Sequence, residues 1–334
     1  SDAVLAEWGA APPPAAATPG DGQRPLAGVR VIDLSSFIAG PVVSRHLAML
    51  GAEVTKVEPP TGDPFRAIGP PFLSWNQGKK SVALDLTTDE GQATLHRMAT
   101  DADAVIENFR PGVSERLGCD PATLRQVNPD LVFLSSPGYG FDESMAAKPA
   151  FDPLVQALGG FMAAQGGMAE PGDGAEPVFL SAPVHDVTTP TVGAFGVVMG
   201  LHRRLQTGEG QHIHTSLAQS TMVAQAAEYT RFEGRPPTAL GGFDYPGSPG
   251  NTWEDTEDGP VWTDGDLSVP VEVRGLTGSE LAEDNGLVTE HPTEAFGPLV
   301  VFGQLVGGAG PAPAPDPILV DLGDEIGAEY SGEW

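Results

Sequence analysis

From Gly28 onward, short apolar runs rich in β-branched residues alternate with longer amphipathic stretches, the pattern of a parallel sheet covered by helices. Strands are expected at Val29 to Leu34, Glu53 to Val57, Val82 to Asp85, Ala104 to Glu107 and Leu131 to Ser135. Between them, Pro41 to Leu50 reads as a helix with proline in its first turn, and Asp89 to Thr100 as a second. Leu124 to Val127 makes a short third, stopped before Asn128-Pro129. An apolar helix is expected from Asp152 to Ala164, ended by Gly166-Gly167, and a longer one from Pro190 to Gln206. The longer one is apolar on nearly every face and so reads as buried. Beyond about Thr238 the periodicity fades into Gly, Pro and acidic residues, with strands suggested at Val269 to Val273 and Leu299 to Phe302.

Composition narrows what this α/β chain does. Its 334 residues, 40 % hydrophobic, suffice for one large domain and a smaller one. A formal charge of -28 argues against binding nucleic-acid phosphate or an anionic membrane surface. That charge is uneven: from Asp244 to Trp334, nineteen acidic residues face a single basic one, Arg274. The cations Arg30, Lys56, Arg66, Lys79, Lys80, Arg110 and Arg116 all lie in the first part of the chain, so a polyanionic ligand is expected there. The lone Cys119 excludes an internal disulfide, reads as a packing residue and fits a reducing cytoplasm, the expected location. No run approaches a membrane span, and residues 1–25 are Ala/Pro-rich, like a linker or disordered tail.

Two common nucleotide signatures are missing. There is no Gly-x-Gly-x-x-Gly after the first strand and no phosphate loop ending in Gly-Lys-Ser/Thr, which argues against nicotinamide and ATP chemistry. His212 and His214 share one face of a strand, yet would need a further ligand to hold a metal, so a structural role and no metal site are expected. Asp152, ahead of Pro153 at the start of an apolar helix, reads as an N-cap.

Several segments fall in an order that resembles the class III CoA transferases. They are Leu26-Ala27-Gly28-Val29-Arg30-Val31-Ile32-Asp33-Leu34, Ala39-Gly40-Pro41, Gly51-Ala52-Glu53-Val54-Thr55-Lys56-Val57-Glu58 and Asn76-Gln77-Gly78-Lys79-Lys80-Ser81. Further on come Glu107-Asn108-Phe109-Arg110-Pro111-Gly112, Ser136-Pro137-Gly138-Tyr139-Gly140, Phe151-Asp152-Pro153, His185-Asp186 and Gly208-Glu209-Gly210-Gln211-His212. The resemblance covers residues 26 to 235 well and the remainder weakly. It implies a doubly wound, Rossmann-like parallel sheet and an interlocked homodimer. It also implies a large CoA-binding domain over 26–238, an abbreviated small domain or acidic linker over 239–290, and a C-terminal return over 291–334.

The chemistry that the resemblance implies is transfer of CoA from an acyl-CoA to a free carboxylic acid, with Asp186 as the nucleophile. CoA enters as a substrate, with no permanently bound cofactor. At the start of a helix, backbone N–H groups and the helix dipole are expected to keep Asp186 ionised. The family's CoA-contacting positions map to Ser36, Phe37, Ile38, Ala39, Asn108, Phe109, Arg110 and Arg116, with Lys79 and Lys80 expected at the phosphates. Where some members have Arg after Val-Glu, this chain has Pro59-Pro60, and Arg66 is the expected substitute. Gly241-Gly242 matches the family's glycine loop and equally an inter-domain turn. Phe151 stands where the racemase branch needs a histidine, which argues against proton exchange, because a hydrocarbon ring carries no exchangeable proton. His185, next to Asp186 in what reads as an extended segment, is expected to point away from it, in a packing or surface role. A catalytically silent subunit of a heteromer is the alternative from another class.

Overall fold

Alternation along each strand divides the chain's apolar residues between two faces of one sheet, and helices close both. The structure is a computed structural model that describes residues 24–140, 144–168, 172, 174–230 and 232–234, together with strands at 251–256, 259–264, 267–270, 288–293 and 297–302. The sheet contains β1 (Arg30–Asp33), β2 (Glu53–Glu58), β3 (Lys79–Ala83), β4 (Ala104–Glu107), β5 (Val132–Ser135) and β6 (His212–His214). All neighbours are parallel and the order is β3-β2-β1-β4-β5-β6, a doubly wound topology. The chain leaves β1 toward β2 on one side and resumes at β4 on the other, so strand order reverses between β1 and β4. Open α/β sheets bind ligands at that crevice.

The helices are α1 (Ala39–Met49), α2 (Pro70–Trp75), α3 (Asp89–Thr100), α4 (Val113–Arg116), α5 (Pro121–Val127), α6 (Asp152–Leu158), α7 (Phe161–Gly166), α8 (Val184–Thr207), α9 (Leu217–Ala224) and α10 (Ala226–Tyr229). On one face Val31, Ile106 and Leu134 pack with Val43 and Leu47 of α1 and with Val197 and Leu201 of α8. On the other, Ile32, Val105 and Phe133 pack with Leu95 and Met98 of α3 and Leu124 of α5. Local signals start the surface helices. Thr88 accepts from the Gly91 amide ahead of α3, and Asp120 accepts from Ala122 and Thr123 ahead of α5.

Three expectations need correction. The third strand runs Lys79–Ala83 rather than Val82 to Asp85. The helix expected over 152–164 is two, because Gly160 takes a left-handed conformation at φ 73° and Gly159 packs where a Cβ would strike Thr221. The long helix starts at Val184, six residues ahead of Pro190, and it is not buried all round: Phe195 and Leu205 are 67 % and 68 % exposed.

The C-terminal stretch contributes an antiparallel three-stranded sheet, β7 (Asn251–Thr256), β8 (Gly259–Asp264) and β9 (Leu267–Pro270), and a hairpin, β10 (Val288–Thr293) with β11 (Gly297–Phe302). The linker expected over 1–25 lies, but for its last two residues, outside the described residues, as do Gly241-Gly242 and the boundary expected at 238. Strand β10 runs across the boundary expected at 290.

Candidate active site

Asp186 occupies the first turn of α8. The free amides there are taken by a carboxylate from another helix: Asp152 Oδ2 accepts from His185 N at 2.6 Å and from Asp186 N at 3.1 Å. Asp152 is thus a helix cap, as its sequence context suggests, but for α8 rather than for its own helix, where Phe151 holds the cap position without a side-chain bond. Gln156 Nε2 donates to the other Asp152 oxygen and to the carbonyl of Leu180, which fixes the group from behind. His185 and Asp186 diverge as successive residues of a helix rather than of the expected extended segment. His185 is fully buried, with Nδ1 3.1 Å from Ser220 Oγ and its ring edge on Phe161.

Burial and the negative charge of Asp152 push the Asp186 carboxyl up to about 7. The expected stabilisation of an ionised Asp186 by the helix start is therefore outweighed, since the amides that would supply it are engaged by Asp152. The resulting group changes charge near neutral pH, in a half-buried position open to a cavity.

That cavity, about 470 Å³, lies at the carboxyl ends of β1 and β4, where strand order reverses. Ser36, Phe37, Ile38 and Ala39 line it from the loop after β1. Asn108, Phe109 and Arg110 line it from the loop after β4, with Arg116 of α4 beside them. Asp186 faces the same space, so nine of the eleven residues singled out from the sequence meet at one cavity. Arg110 and Arg116 are both exposed. Asn108 also clamps the two loops together: its amide oxygen accepts from Ser36 N at 2.9 Å and its nitrogen donates to Ser36 O at 2.8 Å. Glu107 supports the second loop by accepting from Phe109 N at 2.6 Å, and burial pushes its carboxyl up to about 7.

Lys79 and Lys80 do not line the cavity. Lys79 is fully buried, and its ammonium is held by Asp33 at 2.9 Å, the Pro41 carbonyl at 2.7 Å and Asn76 at 2.8 Å. Its partners replace the water that a phosphate-binding lysine would keep. Arg66, the expected substitute, is buried and forked onto Glu58 at 2.7 and 2.6 Å. Beside the main cavity and sharing Ser36 and Phe109 with it lies a second cleft of about 290 Å³, walled by Val57, Leu84, Leu86 and Leu117. Nothing in the sequence pattern singled out those residues.

An aromatic series runs into the main cavity: Trp75 on Phe65 at 4.9 Å, Phe65 on Phe37 at 6.2 Å and Phe37 on Phe151 at 5.9 Å between ring centroids. Elsewhere, Cys119 is buried, its thiol pushed up to about 12 by burial and by Glu107. The His212 and His214 rings lie 3.9 Å apart and tilted by 50°, and no group of three metal-ligating side chains occurs among the described residues.

The model of CoA-transferase family III matches residues 26–269. A succinate–glutarate CoA-transferase of Agrobacterium fabrum is 38 % identical over 234 residues, covering 65 % of this chain and 57 % of that protein. The α subunit of a succinyl-CoA–L-malate CoA-transferase of Chloroflexus aurantiacus is 36 % identical over 224 residues, covering 62 % and 51 %. The chain thus spans little more than half the length of the curated relatives it matches. Among solved structures, a CAIB/BAIF family protein from Brucella suis superposes with a TM-score of 0.63 at 32 % identity, over 71 % of this chain and 65 % of that one.

Proposed function

The chain belongs to CoA-transferase family III, and from that premise we propose that it moves CoA from an acyl-CoA thioester to a free carboxylate, with Asp186 as the nucleophile. The observation that carries this reading is the cavity itself: a carboxyl group with no cation partner among the described residues opens onto the crevice lined by Ser36 to Ala39, Phe109, Arg110 and Arg116. An Asp186 oxygen attacks the thioester carbonyl carbon; the C–O bond forms, the C–S bond breaks, and the product is an acyl-aspartyl anhydride with free CoA thiolate. The thiolate then attacks the Asp186 acyl carbon, which releases the first acid and leaves an aspartyl-CoA thioester. The acceptor carboxylate attacks that carbon in turn, forming a second anhydride, and the thiolate closes the cycle at the acceptor's acyl carbon. The donor leaves as a free carboxylate, the acceptor as its CoA thioester, and Asp186 is restored. Because a carboxylate is a weak nucleophile, positioning and exclusion of water must supply most of the rate.

Arg110 and Arg116 suit the CoA phosphates, since guanidinium matches phosphate bidentately. Lys80, outside the cavity and half-buried, remains a candidate for a phosphate beyond it. The apolar second cleft, continuous with the first through Ser36 and Phe109, suits the purine end of the same extended molecule. The relatives are named for succinate, glutarate and L-malate, so dicarboxylates are the acids to test first. Proton exchange at the α-carbon has no second base, because Phe151 lines the cavity where a partner to Asp186 would be needed.

The exposed apolar side chains of α8, Phe195, Met199 and Leu205, support association with a second copy. The named α subunit among the relatives favours one alternative, a heteromer in which this chain is one subunit. No described helix is long and apolar enough to cross a membrane. The deciding experiment incubates the protein with succinyl-CoA, traps with hydroxylamine and maps the adduct by peptide mass spectrometry. Modification at Asp186 is the expected result. Binding of CoA without any adduct would transfer the assignment to a silent subunit.

A further inference from the structure

Among the described residues, Phe37 is the one residue other than glycine with a positive φ, at 65°. Side chains with a Cβ avoid this conformation, and it persists where the surroundings impose it. Here the loop after β1 is gripped at three successive residues. Lys56 Nζ donates to Ser35 O at 2.7 Å, Asn108 makes both bonds to Ser36, and Asp63 Oδ1 accepts from Phe37 N at 3.4 Å. Asp63 is buried, and the same oxygen accepts from Phe65 N at 2.9 Å while Oδ2 pairs with Lys56 at 2.9 Å. Glu58, itself held by Arg66, accepts from the Asp63 amide at 2.9 Å and fixes the carboxylate in place. One ion pair, Lys56 with Asp63, therefore grips the loop on both sides of Ser36.

We propose that Asp63 is a positioning residue for the reaction: its carboxylate holds Phe37 in the left-handed conformation and thereby seats the aromatic wall against which the acyl-CoA lies. Phe37 lines the cavity and stands edge-on to Phe65, which Asp63 also caps, and to Phe151, whose neighbour Asp152 caps the helix of Asp186. A buried ion pair that only supported the fold would have no need to end on the strained residue of the cavity rim. This inference rests on reading the cavity as the thioester site.

The test is a double-mutant cycle on the full chain, read as CoA affinity by titration calorimetry, with circular dichroism as the check on folding. Asp63→Ala is expected to weaken CoA binding about tenfold, as is Phe37→Gly, which tolerates the backbone but lacks the ring. The double variant is expected within about twofold of Phe37→Gly alone, because with the ring gone Asp63 has nothing left to seat. A full further tenfold loss in the double variant, or native affinity in Asp63→Ala, would overturn the proposal. If Asp63→Ala does not fold, Asp63→Asn keeps the oxygen acceptor and is expected to bind CoA within about threefold of the native chain; a tenfold loss there would equally overturn it. A native chain that binds no CoA removes the proposed function along with this inference, whereas native binding that Asp63 substitutions leave unchanged removes the inference alone.

Discussion

Two carboxylates, one fully buried and one half-buried at the cavity, have opposite fates in this molecule. Asp33 is fully buried at the end of β1, between Lys79 and Lys56 and bonded by the hydroxyls of Ser35 and Ser44. Burial opposes its charge, but the two ammonium groups and two hydroxyls prevail and hold its carboxyl below the usual carboxylate range. Asp186 meets no cation among the described residues; burial and Asp152 together raise it to about 7. The cost of leaving water is common to both, and the partner decides the outcome. Around Asp33, Glu58 and Asp63 each also have a cation, in Arg66 and Lys56, so this cluster is charge-matched while the proposed nucleophile is not. A carboxylate kept from cations is destabilised as an anion and so retains the drive to bond to an electrophilic carbon.

Breaking each side of this comparison should cost different things. Asp186→Ala is expected to lower succinyl-CoA exchange by at least about 10³-fold with little loss of stability, measured by exchange of labelled succinate and by thermal unfolding. Asp33→Ala should do the reverse: stranding Lys79 beside Lys56 is expected to destabilise by about 3–5 kcal/mol, measured by urea unfolding. Asp152→Asn retains an oxygen for the α8 amides and removes the neighbouring charge, so the rise of activity with pH, centred near 7 in the native chain as Asp186 ionises, should move downward. A profile that stays in place would show that Asp152 acts by geometry alone.

The smallest effect lies in stability against pH. Folded Asp186 keeps its proton to about 7, against 3.8 as the ordinary value, so between these the folded chain binds more protons and stability declines as pH rises. Asp33 has the opposite sign: its contribution is present above 3.8 and is lost as pH falls below that value. Comparing thermal midpoints of the native chain and Asp186→Asn from pH 4 to 7 isolates the first slope, which the variant should flatten.

The sheet and its helices were legible because β-branched runs and helical periodicity alternate without interruption from β1 to β5. The third strand was misplaced because Lys79 and Lys80 were expected at a ligand's phosphates rather than inside a sheet; only the fold brings Asp33, distant in sequence, to Lys79. Pro190 read as a first turn, although a proline also fits further inside a helix when the turn before it is held from outside. The cavity residues after β1 and β4 were legible from their segments, since topology puts both loops at the crevice. Asp63 was not, because its bond to Phe37 spans 26 positions and no local pattern encodes it. Lys79 misled for the complementary reason, as a lysine's residue type does not reveal whether water or a carboxylate surrounds it.

Pro190 lies inside α8, four residues after Asp186, and proline has no N–H to offer the Asp186 carbonyl. The turn that carries Asp186 is therefore joined to the body of its helix by one rung fewer, while Asp152 ties its leading amides to α6. Mechanically that turn belongs as much to α6 as to the rod behind it.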